Sequence, residues 1–308
     1  MLEVLRSSVN TWECDQMGHL NVRHYFARGM QGVNVFAHEL GLGPRKLQEQ
    51  GLSLRAFDQH IRFHRELRPG AAFTLRAGTL QASAERLRVY GELRALATDE
   101  VSATIVSDVR LVSGDSEAGE GEAAATQGFP AAVVERALAH QTTLPEHAAP
   151  RGMKLDPVQP PPARDGDVGQ RMTGAFLGPV LPEDCDRYGR MLESSFMARV
   201  SDGIAHFFRQ VRRGLRPDGI GGAALEYRFV YRQRPRVGDL LEVRSGLIGL
   251  GRKTLHLGHV VYNLETQRCA ATSEAVAVSF DLAARKSVDI PDDARAAMQP
   301  HLVTGFHT

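Results

Sequence analysis

Two stretches of the chain, ECDQMGHLNVRHYFARGMQGVNVF and DCDRYGRMLESSFMARVSDGIAHF, are versions of one pattern. At a single spacing of 171 residues (186 − 15), Asp15 falls on Asp186, Gly18 on Gly189, Leu20 on Met191, Tyr25 on Phe196, Ala27 on Ala198, Arg28 on Arg199, Gly32 on Gly203 and Phe36 on Phe207. The match resumes downstream at a spacing of 168 (255 − 87), with Leu87 on Leu255, Leu96 on Leu264, Ala103 on Ala271 and Thr104 on Thr272. No other feature restricts the fold as much, because a chain that repeats itself on this scale builds the same unit twice.

Each copy has a legible order of elements. After a first short strand, Val22, Tyr25, Phe26, Met30, Val33, Phe36 and Leu40 form one helical stripe, ended by GLGP. Leu192, Phe196, Val200, Ile204, Phe207, Phe208 and Val211 repeat it, ending near Gly214. Four strand-like runs follow in each copy: AFDQHIRFHREL, AAFTLRAGTLQA, ERLRVYGELRAL and VSATIVSDVRLV, then ALEYRFVYRQRP, DLLEVRSGLIGLG, KTLHLGHVVYNL and CAATSEAVAVSF. One long helix against an antiparallel sheet is an α+β pattern. Proline-led amphipathic segments, FPAAVVERALAHQ and IPDDARAAMQPHL, close the copies. The expected domains are therefore 1–141, with a flexible excursion at 113–128, and 172–308, joined by a proline-rich linker at 142–171.

Composition removes several functions. The 37 basic and 36 acidic side chains leave no net field for nucleic acid or an acidic membrane. Cys14, Cys185 and Cys269 lack metal or redox spacing and fit a reducing compartment. His19, His24 and His38 have no supporting ligand spacing, and no glycine-rich nucleotide loop is present, so neither a metal nor a cofactor is expected. The start MLEVLRSSVNTWECD is not signal-like and no run is long enough to span a bilayer, which points to the cytoplasm.

The order of elements, with D-x-x-G-H-x-N at Asp15, Gly18, His19 and Asn21, resembles the hotdog-fold acyl-CoA thioesterases of the 4-hydroxybenzoyl-CoA thioesterase type. The resemblance covers 1–141 and 172–303 and implies a tandem, fused double hotdog. It implies that Asp15 is the catalytic carboxylate, that Gly18, His19 and Asn21 complete the site, and that amides at the helix start face the thioester carbonyl. It also implies an acyl-CoA substrate, and it leaves open a homodimer of double hotdogs. The second copy keeps Asp186 and Gly189 but has Arg190 and Leu192 in the histidine and asparagine places, which leaves three readings open for its turn: a spent site, a differently tuned one, or a scaffold for the first.

The chemistry suits those residue types. An aspartate is ionised at neutral pH and can act as base toward water or as nucleophile toward an activated acyl group. Free N–H groups at a helix start suit the negative charge that the carbonyl oxygen gains. On its own, an aspartate in such a turn is equally suited to capping backbone amides. For coenzyme A phosphates the candidates are Arg62, Arg65, Arg68, Arg232 and Arg234. A hotdog 2-enoyl-CoA hydratase is the rival enzyme, although its D-x-N-P-x-H pattern is absent. A non-catalytic acyl-CoA-binding protein is the rival of another class.

Overall fold

A computed structural model describes residues 1–117, 126–155, 157–212 and 219–308. Half of the excursion expected at 113–128, residues 118–125, lies outside the described residues, as does Gly214. The chain divides into two compact units: Met1–Ala149 with Leu192–Met197, and Pro150–Met191 with Ala198–Thr308.

In the first unit β1 (Leu2–Ser8) leads to α1 (Val22–Glu39) and a short α2 (Pro44–Glu49). Strands β2 (Leu52–Phe63), β3 (Ala72–Ala82), β4 (Leu87–Ala95) and β5 (Val101–Ser113) follow, then β6 (Thr126–Gln127) and α3 (Ala131–Ala139). The sheet is antiparallel in the order β1-β3-β4-β5-β2, with β6 beside β5. Helix α1 buries Tyr25, Phe26, Met30, Val33 and Phe36, and packs on β1, β3, β4 and β5. The approach is close because Gly32 has no side chain: a Cβ there would stand 2.4 Å from Leu75 Cδ2.

The second unit repeats the plan. After α4 (Asp167–Arg171) come β7 (Thr173–Pro179), α5 (Glu193–Arg212, from Ala198 onward in this unit), β8 (Ile220–Tyr231), β9 (Leu240–Leu250), β10 (Thr254–Asn263) and β11 (Arg268–Asp281). A two-residue β12 (Lys286–Ser287) and α6 (Asp292–Met298) complete it. The order is β7-β9-β10-β11-β8, antiparallel throughout. Ala77 pairs with Gly91 and Gly91 with Ile105, while Ser245 pairs with His259 and His259 with Ser273. Every member of the second set lies 168 residues beyond the first, so the downstream repeat is a repeat of sheet register. Both units are hotdog folds of the α+β class.

Strands β2 and β8 begin and end four residues earlier than their hydrophobic alternation predicts. Beyond Phe63 the backbone leaves the ladder. His64 and Arg65 both donate N–H to the Ser102 carbonyl, and the Leu67 carbonyl turns to accept Leu20 N–H at 2.8 Å. Residues 64–67 therefore divide their bonds: the N–H groups of His64 and Arg65 stay on β5, and the Leu67 carbonyl serves the loop ahead of α1.

The face of each sheet away from the long helix is covered by connecting and terminal segments. In the first unit Arg62 Nη1 donates to the carbonyls of His147 and Ala149, each at 2.7 Å, and Ala148 packs with Tyr90 and Val106. Beside them Glu92 accepts from the Tyr90 hydroxyl at 2.8 Å and lies 2.9 Å from His147 Nε2. In the second unit Met172, Val303 and Phe306 pack on Val260 and Tyr262, and the Tyr262 hydroxyl donates to the Pro162 carbonyl at 3.1 Å. Among the described residues no helix is long and apolar enough to cross a membrane.

Burial alone would raise the Glu92 carboxyl, but bonds from Tyr90, Arg94 and His147 outweigh it and hold the group below its ordinary 4.5. A carboxylate lowered in the folded state adds stability above its unfolded value and loses it as pH falls through the folded one. Glu92→Gln is expected to flatten the fall in urea-unfolding free energy on acidification below about pH 4.5. An acid limb as steep as that of the wild type would show that the Glu92 cluster does not set it.

Candidate active site

Strand β1 hands the chain through a 3-10 turn, Thr11–Glu13, to the loop that carries Asp15. Asp15 Oδ1 accepts the N–H groups of Met17 at 2.8 Å and His19 at 3.2 Å. The Asp15 N–H donates to the His19 carbonyl at 2.9 Å and Gly18 N–H to the Asp15 carbonyl at 3.0 Å. Gly18 sits at φ +71°, in the left-handed region where a Cβ is strained, so glycine lets the loop close this tightly. The loop is half-buried at Asp15 and His19 and exposed at Gly18.

Two groups in this loop are left over. Among the described residues Asp15 Oδ2 has no hydrogen-bond partner, and neither has the N–H of Val22, the first residue of α1. Asn21 is the N-cap of α1: its side-chain oxygen accepts Arg23 N–H at 3.0 Å and its own N–H donates to the Glu13 carbonyl at 2.9 Å. Asp15 thus caps its own loop with one oxygen and keeps the other open, while the helix cap falls to Asn21.

Glu13 fixes the loop to the helix. It is 6 % exposed, its Oε1 lies 2.5 Å from Arg28 Nη2, and its Oε2 accepts Asn10 N–H at 2.9 Å. His24 Nδ1 stands 3.6 Å from the same carboxylate, and burial pushes that imidazole below its ordinary value although Glu13 opposes the shift. Arg28 is a framework residue.

One residue absent from the motif joins the site. Glu66, from the 64–67 segment, places Oε1 3.2 Å from His19 Nε2 and lies 3.3 Å from Arg68. The repeat contained the signal: at the downstream spacing Glu66 corresponds to Arg234, just as His19 corresponds to Arg190. Both members of the pair change together, from histidine with glutamate to two arginines.

The second loop keeps the backbone and loses the pair. Asp186 Oδ1 accepts the N–H groups of Tyr188 at 2.9 Å and Arg190 at 3.0 Å, and Gly189 sits at the same φ of +71°. Asp184 replaces Glu13, and its two oxygens take Arg199 Nη2 at 2.6 and 2.5 Å. Arg190 is only 2 % exposed and its Nη1 reaches the Arg234 carbonyl at 3.4 Å.

The five candidate phosphate ligands divide by exposure. Arg65 and Arg68 keep 69 % and 62 % of their side-chain surface. Arg62 is engaged with the His147 and Ala149 carbonyls. Arg232 is buried against Thr272 and the Gln159 carbonyl, and Arg234 is buried over the Tyr231 ring with Nη1 on the Met191 carbonyl.

The thioesterase-like superfamily model matches residues 9–150 and 180–298, which include both loops, both long helices and both sheets apart from their first strands, β1 and β7. The chain belongs to the thioesterase-like superfamily. Thioester hydrolysis is the chemistry to which this membership assigns it. Its fold is shared with a Lactobacillus plantarum protein described as an oleoyl thioesterase (13 % identity, TM-score 0.66, 91 % of this chain and 96 % of that one). An acyl-ACP thioesterase from Bacteroides thetaiotaomicron gives 9 % identity and TM-score 0.62 over 89 % of this chain and 96 % of that one. The 12:0-ACP thioesterase from Umbellularia californica gives 11 % and 0.63 over 89 % and 93 %. No curated protein sequence matches this thioesterase-like chain.

Removing one partner of the buried Glu13–Arg28 pair leaves an uncompensated charge, at a cost of about 3–5 kcal/mol. Glu13→Gln is accordingly expected to lower the denaturation midpoint in urea strongly. A midpoint within experimental scatter of the wild type would show that the pair does not anchor the loop.

Proposed function

We propose that the chain hydrolyses acyl-CoA thioesters at the Asp15 loop, in the manner of the 4-hydroxybenzoyl-CoA thioesterase type. The observation that carries the proposal is the pair of unbonded groups, Asp15 Oδ2 and Val22 N–H, on one short loop and the helix start that follows it. Oδ2 takes the proton of the attacking water or attacks the carbonyl carbon itself. The Val22 N–H, at the positive end of an 18-residue helix, receives the oxyanion.

His19 and Glu66 act as a unit in this reading. Glu66, 3.2 Å from His19 Nε2, fixes the orientation of the imidazole on the loop that carries the aspartate. Arg65 and Arg68, exposed on the same segment, are the residues suited to a coenzyme A phosphate. The second loop has exchanged the histidine–glutamate pair for two buried guanidiniums, which suits framework better than proton transfer.

Thiol release across short, long, branched and aromatic acyl-CoAs tests the activity. Asp15→Asn preserves the loop bonds through its amide oxygen but removes the base, so kcat is expected to fall about 100- to 10,000-fold. A variant within a few fold of wild type would remove Asp15 from the chemistry. Asp186→Asn is expected to cost far less, and equal losses from the two would mean two working sites. Glu66→Gln is expected to lower kcat about tenfold with little change in KM, the signature of a group that orients another.

A further inference from the structure

The repeat provides an internal control for the core. In the first unit the register Ala77–Gly91–Ile105–Ile61 crosses β3, β4, β5 and β2 as an apolar row. Ala77, Gly91 and Ile105 line a narrow void under Gly29 and Gly32 of α1. In the second unit the same register reads Ser245–His259–Ser273–Phe229 across β9, β10, β11 and β8. Three of its four members are polar.

This row lies on the helix side of its sheet. Its neighbours Gly258 and Val260 face the other way: a Cβ on Gly258 would meet the Phe306 ring at 2.7 Å, and Val260 belongs to the cluster under Val303 and Phe306. Alternation along β10 therefore turns His259 inward. The row is sealed, with His259 fully buried and Ser245 and Ser273 each 1 % exposed.

Its hydrogen bonding is incomplete in one direction. Ser245 Oγ and His259 Nδ1 are 2.8 Å apart, but His259 Nε2 and Ser273 Oγ are buried without a partner among the described residues. Tyr227 stacks on His259 with ring centroids 6.3 Å apart at 18°. Its hydroxyl also makes no bond among the described residues, and at 7 % exposure it is the least enclosed of the group. Burial holds the imidazole down to about 3, so it is neutral, with Nδ1 facing Ser245 Oγ and Nε2 turned into the core. Native cores pair such groups, and the first unit does so one row away, where Gln59 Nε2 donates to Ser107 Oγ at 2.9 Å.

We propose that the interior of the second unit is a built site for one uncharged oxygen atom, held between His259 Nε2 and Ser273 Oγ with Tyr227 beside it. A charged group is excluded, because nothing in the row carries a compensating charge. Two sources share this chemistry: an ordered water, or a hydroxyl or carbonyl oxygen on the acyl group of a substrate. The second rests on the thioesterase reading and the first does not.

A crystal structure of the full chain at a resolution that shows ordered water, together with thermal unfolding of Ser273→Ala, tests the site without reference to activity. The expected result is density within hydrogen-bond reach of both His259 Nε2 and Ser273 Oγ, and a Tm lowered by about 2 °C or more in the variant. Empty density, with Ser273→Ala melting at or above the wild-type temperature, would overturn the proposal. Acyl-CoA pairs differing by one hydroxyl then separate the sources. A preference of about tenfold or more in kcat/KM for the hydroxylated member, removed by Ser273→Ala, assigns the oxygen to the substrate. Equal rates with density present assign it to resident water. Absence of any thiol release refutes the acyl-CoA reading and leaves the density and Tm to decide the site.

Discussion

Each unit hangs on an acid that is almost out of solvent and an arginine fifteen residues later: Glu13 with Arg28, and Asp184 with Arg199. The acid sits in the 3-10 turn before the loop and the arginine in the second turn of the long helix. Taking two charges from water is costly and is offset only when the geometry leaves little unpaired. That cost ties loop and helix to one relative position. Asn10 N–H on the Glu13 carboxylate and Asn21 N–H on its carbonyl extend the constraint along the backbone on both sides of Asp15. Asp15 can then spend one oxygen on its own loop and leave the other without a protein partner.

The two units share this framework and differ where chemistry or ligands would be handled. Loop bonds, the left-handed glycine, the ion pair and the sheet register are common to both. The histidine–glutamate pair of the first becomes two arginines in the second, and the apolar row under α1 becomes Ser245, His259 and Ser273. A framework conserved between copies with divergent interiors is what separate tasks in one protein require.

Much of this was legible before any coordinate. The long helices follow from apolar periodicity, and Val22–Glu39 and Glu193–Arg212 lie within a residue or two of the stripes that announce them. The strands follow from alternation, except at β2 and β8, where residues 64–67 and 232–235 keep a strand-like composition although the regular ladder has ended and their last carbonyls, of Leu67 and Pro235, turn to the loop ahead of the long helix. Asp15, Gly18, His19 and Asn21 entered the candidate site through the motif that carries the family resemblance. Glu66 was not, because it lies 47 residues from His19 and meets it only through the fold. Exposure, too, is invisible in a list of arginines: Arg65 and Arg68 face water while Arg232 and Arg234, in strand-end segments of similar composition, are buried.

The register that repeats at 168 residues has a consequence for symmetry. In an assembly of identical subunits, a substitution introduced in one copy is imposed on every other, so a polar row or an arginine pair that suits one position must be tolerated at all of them. Carrying both copies on one chain releases them from that obligation. Gly91 and His259 occupy one register position and answer to different demands, which a single gene-encoded hotdog forming symmetric pairs has no means of arranging.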